Sequence, residues 1–122
     1  MTNSFNPSKF LEIAKKLADD SKYDPDGRWR TAIGRAYYAA FLNALLKLEQ
    51  AGFKIKNVGE IHKEVIEKIS DEGFTRTSNK LEKLRKMRII ADYDLKETLT
   101  ILQCQNSFKL SEIIITEIKN FY

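Results

Sequence analysis

Apolar residues recur at intervals of three and four along nearly the whole chain, which is the spacing of amphipathic helices. Two prolines and five glycines leave few turn signals, so the pattern predicts long helices rather than a series of short strands. We predict helices over residues 7–21, 25–51, 59–72, 78–93 and 96–122. The predicted fold class is all-α, an up-and-down bundle of four to five helices within a single domain, residues 1–122.

Short local signals set the predicted helix ends. Asn6 and Asp24 each precede a proline, the combination typical of an N-cap followed by the first helical residue. Gly52 and Gly73 follow the second and third helices, where glycine commonly ends a helix. Ser78 is the predicted N-cap of the fourth helix, which is expected to fray near residues 93–94.

The second predicted helix carries two apolar stripes rather than one. The first stripe contains Trp29, Ile33, Ala36, Tyr37, Ala40, Ala44 and Leu48, and the second contains Tyr38, Phe41, Leu42 and Leu45. A helix with two apolar faces must bury both, and a small domain covers little of its own surface. We therefore predict a side-by-side homodimer through this helix. The alternative is that it is the central helix of the bundle, covered on all sides by its own chain.

Composition limits the classes of protein that fit this chain. Its 122 residues are 43% hydrophobic and 31% charged, which is typical of one globular domain, and the net charge of +4 permits an anionic partner without requiring one. Cys104 is the only cysteine, so we expect neither an internal disulfide nor a structural zinc site, and we interpret it as a buried small hydrophobe. No signal-peptide pattern and no apolar stretch of about 18 residues is present, so we expect a cytoplasmic protein without membrane association.

Two helical segments group residues that could bind an anion. Arg28, Thr31, Arg35 and Tyr38 share one stripe of the second helix, and a guanidinium among apolar neighbours needs an anionic partner if it is buried. In the fourth helix Arg85, Arg88 and Asp92 are spaced by three and four residues, so they share a face, and Tyr93 follows at the helix end. This group could hold a phosphate or a ribose hydroxyl. Alternatively Asp92 pairs with Arg88 or Arg35 and the residues only fix helix packing.

Charge and the single histidine add two further candidates. Residues 76–88 contain six basic residues and one acid; the basic residues are Arg76, Lys80, Lys83, Arg85, Lys86 and Arg88. Such a stretch attracts a nucleic-acid backbone, although a solvated lysine-rich face is about as common. His62 lies early in the third helix, and one histidine without several nearby carboxylates does not make a zinc site. We interpret it as a packing residue or an accessory residue of the site.

Three segments together resemble the HEPN domain family (higher eukaryotes and prokaryotes nucleotide-binding), in particular a small stand-alone subgroup with an ADY motif. Residues 30–41, RTAIGRAYYAAF, are similar to the signature of the family's second helix. Residues 81–93, LEKLRKMRIIADY, are similar to its later signature, and residues 59–65, GEIHKEV, to the histidine segment between them. Order and spacing agree over nearly the whole chain.

The resemblance implies a dimeric helical bundle that needs no metal or other cofactor. Active members of the family are metal-independent ribonucleases, often toxins paired with a nucleotidyltransferase antitoxin or components of defence systems. Their catalytic motif is an arginine followed four to six residues later by a histidine, contributed by both subunits to one cleft. Here Arg88 matches the arginine, but Asp92 and Tyr93 stand where the histidine is expected.

Three functions therefore remain open. The first is a dimeric module that binds RNA or a nucleotide, with Arg35, Arg85, Arg88 and the three lysines at 80, 83 and 86 contacting phosphates and either Tyr38 or Tyr93 offering a ring for base stacking. The second is a ribonuclease in which Arg88, Asp92 and Tyr93 are catalytic, or in which His62 is the base. The third is a non-catalytic subunit that pairs with a nucleotidyltransferase.

Overall fold

A computed structural model describes residues 5–56 and 58–122, and within them the protein is a bundle of five α-helices without strands. The helices are α1 (Lys9–Ala18), α2 (Pro25–Gln50), α3 (Ile61–Asp71), α4 (Thr75–Tyr93) and α5 (Ile101–Lys119), and a single 3₁₀ turn, Val58–Glu60, precedes α3. The all-α prediction is thus confirmed. The first four residues, which fall in the predicted single domain, lie outside the described residues, as does residue 57.

The ends of α2 and α3 follow the local sequence signals. The Asp24 side chain accepts a hydrogen bond from the backbone N–H of Gly27 at 3.2 Å, and Pro25 takes the first helical position. Gly52 and Gly73 have φ values of +97° and +95°, a conformation that side chains with a Cβ rarely adopt. The prediction that Gly52 ends α2 and that Gly73 ends α3 is therefore confirmed.

Three predicted helix starts are wrong. Ser78 does not cap α4, which begins at Thr75 directly after the turn at Gly73; Ser78 lies buried inside the helix, where its hydroxyl donates to the Ile66 carbonyl of α3 at 2.9 Å. The last helix begins at Ile101 rather than near residue 96, because Thr100 and Gln103 form a capping box there. The first helix begins at Lys9, with Ser8 rather than Asn6 at its N-cap position, and it ends at Ala18 rather than at residue 21.

The two apolar stripes of α2 are both covered within the chain, which corrects the reason given for a dimer. The helix packs against α1, α3, α4 and α5, so it is the central helix of the bundle. Ile33, Tyr37 and Leu48 are fully buried, and on the second stripe Phe41 is buried while Tyr38, Leu42 and Leu45 are half-buried against the core. A second copy of the chain is not needed to cover this helix.

Buried hydroxyls and one thiol complete the core. The hydroxyl of Ser111 on α5 donates to the Ala36 carbonyl of α2 at 2.7 Å, which satisfies a polar group deep in the interface of these two helices. Cys104 is fully buried, as predicted, and burial together with the charge of Asp19 raises the pKa of its thiol to about 11. It is therefore an unreactive packing residue at neutral pH.

Arg30 joins the start of α2 to the end of α4. Its guanidinium donates to the backbone carbonyls of Ala91, Asp94 and Glu97, and its Nε donates to the Asp26 carboxylate at 3.0 Å. One side chain thus satisfies carbonyls in the last turn of α4 and in the connection that follows it. This contact fixes the end of the helix that carries Arg88, Asp92 and Tyr93.

Candidate functional site

Three helices bring the candidate site residues together on one side of the bundle. We define the arginine cluster as Arg35 and Tyr38 of α2, His62 of α3, and Arg85, Arg88, Asp92 and Tyr93 of α4. The α4 members share a face because they are three and four residues apart, and α4 packs on both α2 and α3. The arginine cluster therefore lies at the contact between α2 and α4, the two helices that carry the candidate anion-binding residues.

Arg88 is held at the centre of this cluster. Its Nε lies 2.8 Å from Oδ2 of Asp92, one turn further along α4, and its side chain is only 17% exposed. The N–H of Nε is nevertheless not directed at that oxygen, so this buried atom makes no hydrogen bond. The ion pair with Asp92 therefore compensates the charge of this largely buried guanidinium without an aligned hydrogen bond at Nε.

Asp92 pairs with Arg88 of its own helix, and not with Arg35. The Asp92 carboxylate lies above Gly34 of α2, where an added Cβ would come within 3.8 Å of Oδ1. This is an ordinary van der Waals distance, so the approach of α4 to α2 here does not require a glycine. Of the alternatives raised by the sequence, the pair within α4 is the arrangement observed.

The ring of Tyr38 is contacted by two guanidinium groups. Arg35 Cζ lies 4.9 Å and Arg88 Cζ 5.4 Å from the ring centroid, both within the range of a cation–π interaction. Arg35 also lies 5.0 Å from the ring of Phe10 on α1, and Arg88 lies 5.8 Å from the ring of Tyr93. The aromatic rings therefore contact two positively charged guanidinium groups, those of Arg35 and Arg88, without neutralising their charge.

His62 is positioned by a hydrogen bond that the sequence did not reveal. The Tyr37 hydroxyl and His62 Nδ1 are 2.7 Å apart, and the imidazole also packs against the rings of Phe41 and Tyr38, with centroid distances of 4.3 and 5.8 Å. Burial, followed by the charges of Arg85 and Arg88, lowers the pKa of His62 below its usual value. Burial raises the pKa of the Tyr37 hydroxyl, which therefore stays protonated.

The basic stretch of α4 divides into separate faces. Arg85 and Arg88 face α2 and α3, and Arg85 also lies 3.7 Å from the Glu82 carboxylate. Lys80 is instead bound by Glu117 of α5, and Lys83 and Lys86 are exposed. Among the predicted phosphate ligands, the structure thus groups the two arginines with Arg35 and leaves the three lysines outside this group.

The remaining candidates of α2 have structural partners. Arg28 donates to the carbonyls of Ala18 and Tyr23, and the Thr31 hydroxyl donates to the Gly27 carbonyl one turn earlier. Sequence reasoning missed Tyr37 and Phe10. Tyr37 could have been noticed because it stands next to Tyr38 in the same motif, but no local pattern connects it to His62.

Neither metal clusters nor membrane helices are found in residues 5–56 and 58–122. No group of three or more histidine, cysteine, aspartate or glutamate side chains in this part of the chain could hold a metal ion. None of its helices combines the length and the apolar character that crossing a membrane requires.

Comparison with known proteins identifies the family. The family model described as HEPN domain matches residues 7–121, almost the whole chain. This chain belongs to the HEPN domain family. Two proteins of Methanocaldococcus jannaschii, both described only as uncharacterised, are similar to it: MJ0992 is 28% identical over 93% of this chain and 76% of its own length, and MJ0628 is 29% identical over 100% and 84%. No solved structure matches the chain with significant similarity.

Membership of the HEPN family gives the arginine cluster its context. The resemblance assigned Arg88 to the arginine of the family's catalytic motif, and the structure places that arginine at the centre of the cluster. Tyr93, in the place of the expected histidine, is 69% exposed with its ring beside Arg88. The one histidine of the sequence, His62, lies on α3 near Arg85 and Arg88.

The lowered pKa of His62 makes stability depend on pH. Because the folded-state pKa lies below the unfolded value of about 6.5, the unfolded chain binds the proton more readily. The contribution of His62 is therefore complete above that pH and is lost as the pH falls towards the folded-state pKa. We expect urea denaturation of the wild type to show falling stability below about pH 6.5, and the non-titrating variant His62→Asn to show a flatter dependence. Parallel curves for the two proteins would contradict this expectation.

Proposed function

We propose that this HEPN-domain protein binds the phosphate groups of RNA or of a nucleotide at the arginine cluster. The observation that carries the proposal is the approach of two guanidinium groups, those of Arg35 and Arg88, to the ring of Tyr38. A phosphate would bring negative charge to this pair in addition to the Asp92 carboxylate, and two parallel guanidinium bonds would strengthen the contact.

The charge of the cluster supports an anionic ligand. Arg85 lies against the Glu82 carboxylate and Arg88 against that of Asp92, whereas Arg35 contacts the rings of Tyr38 and Phe10, so the three arginines of the cluster outnumber its two paired carboxylates. Burial and then the charges of Arg85 and Arg88 lower the pKa of His62, and the two charge effects reflect a positive potential at this point. An incoming phosphate would find this potential preformed rather than having to organise mobile side chains.

The test is binding of a fluorescein-labelled uridylate oligomer, followed by anisotropy at several salt concentrations. We expect Arg88→Ala to weaken binding about 10- to 100-fold and to reduce the salt slope by about one. Arg76→Ala is the matched control, because it removes the same charge from an exposed position of the same helix. Equal losses for the two variants would show that binding depends on overall charge, and would overturn the proposal.

A metal-independent ribonuclease is the second candidate, and the Tyr37–His62 hydrogen bond is the observation that favours it. In the tautomer whose Nδ1–H donates to the Tyr37 oxygen, Nε2 of the neutral imidazole carries the free lone pair and would act as the general base. Arg88 would stabilise the negative charge that develops on the phosphate. Asp92 is a weaker candidate for the base, because Arg88 already lies against its carboxylate.

Incubation with bulk RNA in the presence of a chelator separates these two functions. Cleavage by the wild type that His62→Asn abolishes, with binding retained, would support the ribonuclease. Binding without any cleavage would support the binding module alone. Cleavage that survives in His62→Asn would exclude His62 as the base.

We further propose a homodimer, and a place in a cytoplasmic toxin–antitoxin or defence system with a nucleotidyltransferase as protein partner. The family resemblance supports both. Since α2 is covered, the dimer would use exposed apolar side chains of α4 such as Ile89 and Ile90, which would bring two arginine clusters to one groove. Sedimentation of the wild type and of Ile90→Lys tests this: a wild type that is monomeric at high concentration would contradict the dimer.

A further inference from the structure

Aromatic rings and guanidinium groups alternate in one continuous series across the bundle. We define the cation–π ladder as Phe5, Phe10, Arg35, Tyr38, Arg88 and Tyr93. Phe5 and Phe10 have ring centroids 4.9 Å apart, and the four following contacts, ring to Cζ, measure 5.0, 4.9, 5.4 and 5.8 Å. The ladder thus runs from the segment before α1, across α2, to the end of α4.

Both ends of the ladder are exposed aromatic rings. Phe5 is 52% and Tyr93 69% exposed, whereas Phe10 and Tyr38 are half-buried between their neighbours. Tyr93 is the last residue of α4, and apart from its contact with Arg88 its ring is turned largely to solvent. Rings at such positions offer a surface on which a planar group can stack.

Rings and cations in alternation match the chemistry of an unpaired nucleic-acid strand. Such a strand presents flat bases that stack on aromatic side chains and, between them, phosphates that pair with arginines. A duplex hides its base faces, and a mononucleotide has only one base, so neither would use both ends of the ladder. The alternation therefore favours single-stranded RNA over the other ligands that the proposed function allows.

We infer that the ladder is a binding track for single-stranded RNA, in which unpaired bases stack on Tyr93 and on Phe5 while Arg88 and Arg35 hold the intervening phosphates. This inference rests on the proposed function, because it assigns the substrate class and adds two base-stacking subsites to the same phosphate site. It also gives Tyr93 a role in binding rather than in proton transfer.

The experiment measures the affinity of the full chain for three probes: a uridylate oligomer, an RNA duplex and uridine monophosphate. We expect Tyr93→Ala and Phe5→Ala each to weaken binding of the oligomer about 5- to 100-fold. Because neither variant removes a charge, the salt slope should stay unchanged, which differs from the expectation for Arg88→Ala. Tyr93→Phe should bind like the wild type, since it keeps the ring.

Tyr23→Ala is the matched control, because Tyr23 is 58% exposed and lies outside the ladder. Thermal melting and sedimentation of each variant check that fold and oligomeric state are unchanged. Unaltered oligomer binding by Tyr93→Ala and Phe5→Ala, or duplex binding as tight as oligomer binding, would overturn the stacking subsites while leaving the phosphate site intact. No binding of any probe by the wild type would instead overturn the proposed function itself.

Discussion

Tyr37→Ala is expected to lower the free energy of unfolding by about 3–5 kcal/mol, more than the loss of any single hydrogen bond or ion pair in the bundle should cost. Tyr37 is completely buried in the middle of α2, and its ring contacts those of Phe41, Tyr38 and His62 at centroid distances of 5.7, 5.4 and 5.5 Å. Removing it would leave a large cavity at the junction of α2 and α3, which close-packed neighbours fill only in part.

Tyr37→Phe is the control that separates packing from hydrogen bonding. It keeps the ring and removes only the hydroxyl that bonds His62, so we expect a loss of about 1 kcal/mol. Urea denaturation measures both variants, and comparable m values would show that the unfolded states are alike. A Tyr37→Ala protein as stable as Tyr37→Phe would contradict the burial described for this ring.

Arg30→Ala is expected to destabilise the protein by about 2–3 kcal/mol. The guanidinium satisfies three carbonyls at the end of α4 and after it, and its side chain is only 15% exposed. In the alanine variant the carbonyl of Ala91, a buried residue, would lose its hydrogen bond from Arg30. Asp94 and Glu97 are exposed, so their carbonyls would form hydrogen bonds with water instead. The effect is therefore smaller than the loss of three fully buried bonds.

Arg30→Lys and Arg76→Ala are the controls for this substitution. Lysine keeps the charge but lacks the fixed fork of donors, so we expect it to restore only part of the stability. Arg76 is exposed, and its replacement by alanine should change stability by less than about 0.5 kcal/mol. Hydrogen exchange at the last turn of α4 should accelerate in Arg30→Ala. Unchanged exchange there would contradict the conclusion that Arg30 fixes the end of this helix.

Helix ends were predictable where a single residue determines them. Asp24 and Pro25 start α2, and Gly52 and Gly73 adopt the positive φ that ends a helix, all of which act within one turn of chain. Ser78 misled the prediction because a serine before an apolar run resembles an N-cap, whereas its hydroxyl bonds a carbonyl of α3 that only the tertiary fold brings near. The capping box of Thr100 and Gln103 was readable from the sequence and was overlooked.

The interpretation of α2 failed for a reason of geometry. Two apolar stripes show that both faces of a helix are buried, but they do not show which chain buries them. In this bundle the other four helices surround α2, so its apolar surface is accounted for without a partner. Hydrophobic pattern alone thus predicted the burial correctly, but it gave no ground for placing a dimer interface on α2.

Only the part of the candidate site that lies on one helix was predictable from the sequence. The shared face of Arg85, Arg88 and Asp92 follows from helical spacing, and the structure confirms the Arg88–Asp92 pair that was one of the alternatives. The approach of Arg88 to the ring of Tyr38, and the bond between Tyr37 and His62, join residues 25 or more positions apart. No local periodicity carries that information.

The division of the basic stretch changes what the protein offers to an anion. Lys80 is engaged by Glu117 on α5, where hydrogen bonds from Lys80 and Thr77 outweigh the effect of burial and lower the pKa of that carboxyl. The positive charge that remains near Tyr38 is carried by arginines, whose planar groups suit phosphate geometry better than lysines do. The cluster is therefore suited to oriented phosphate contacts, beyond general attraction to a polyanion.

The most direct test of the phosphate site is the response of the arginine Nε–H signals in a ¹⁵N–¹H spectrum during titration with a uridylate oligomer. The chain has only six arginines, so their signals can be assigned by single substitutions. We predict saturable shifts at Arg35, Arg85 and Arg88, the largest at Arg88, which lies at the centre of the cluster, with little change at Arg28 and Arg30, which hold backbone carbonyls. Uniform shifts that include exposed Arg76, or an Arg88 signal that does not move while RNA binds, would contradict the account.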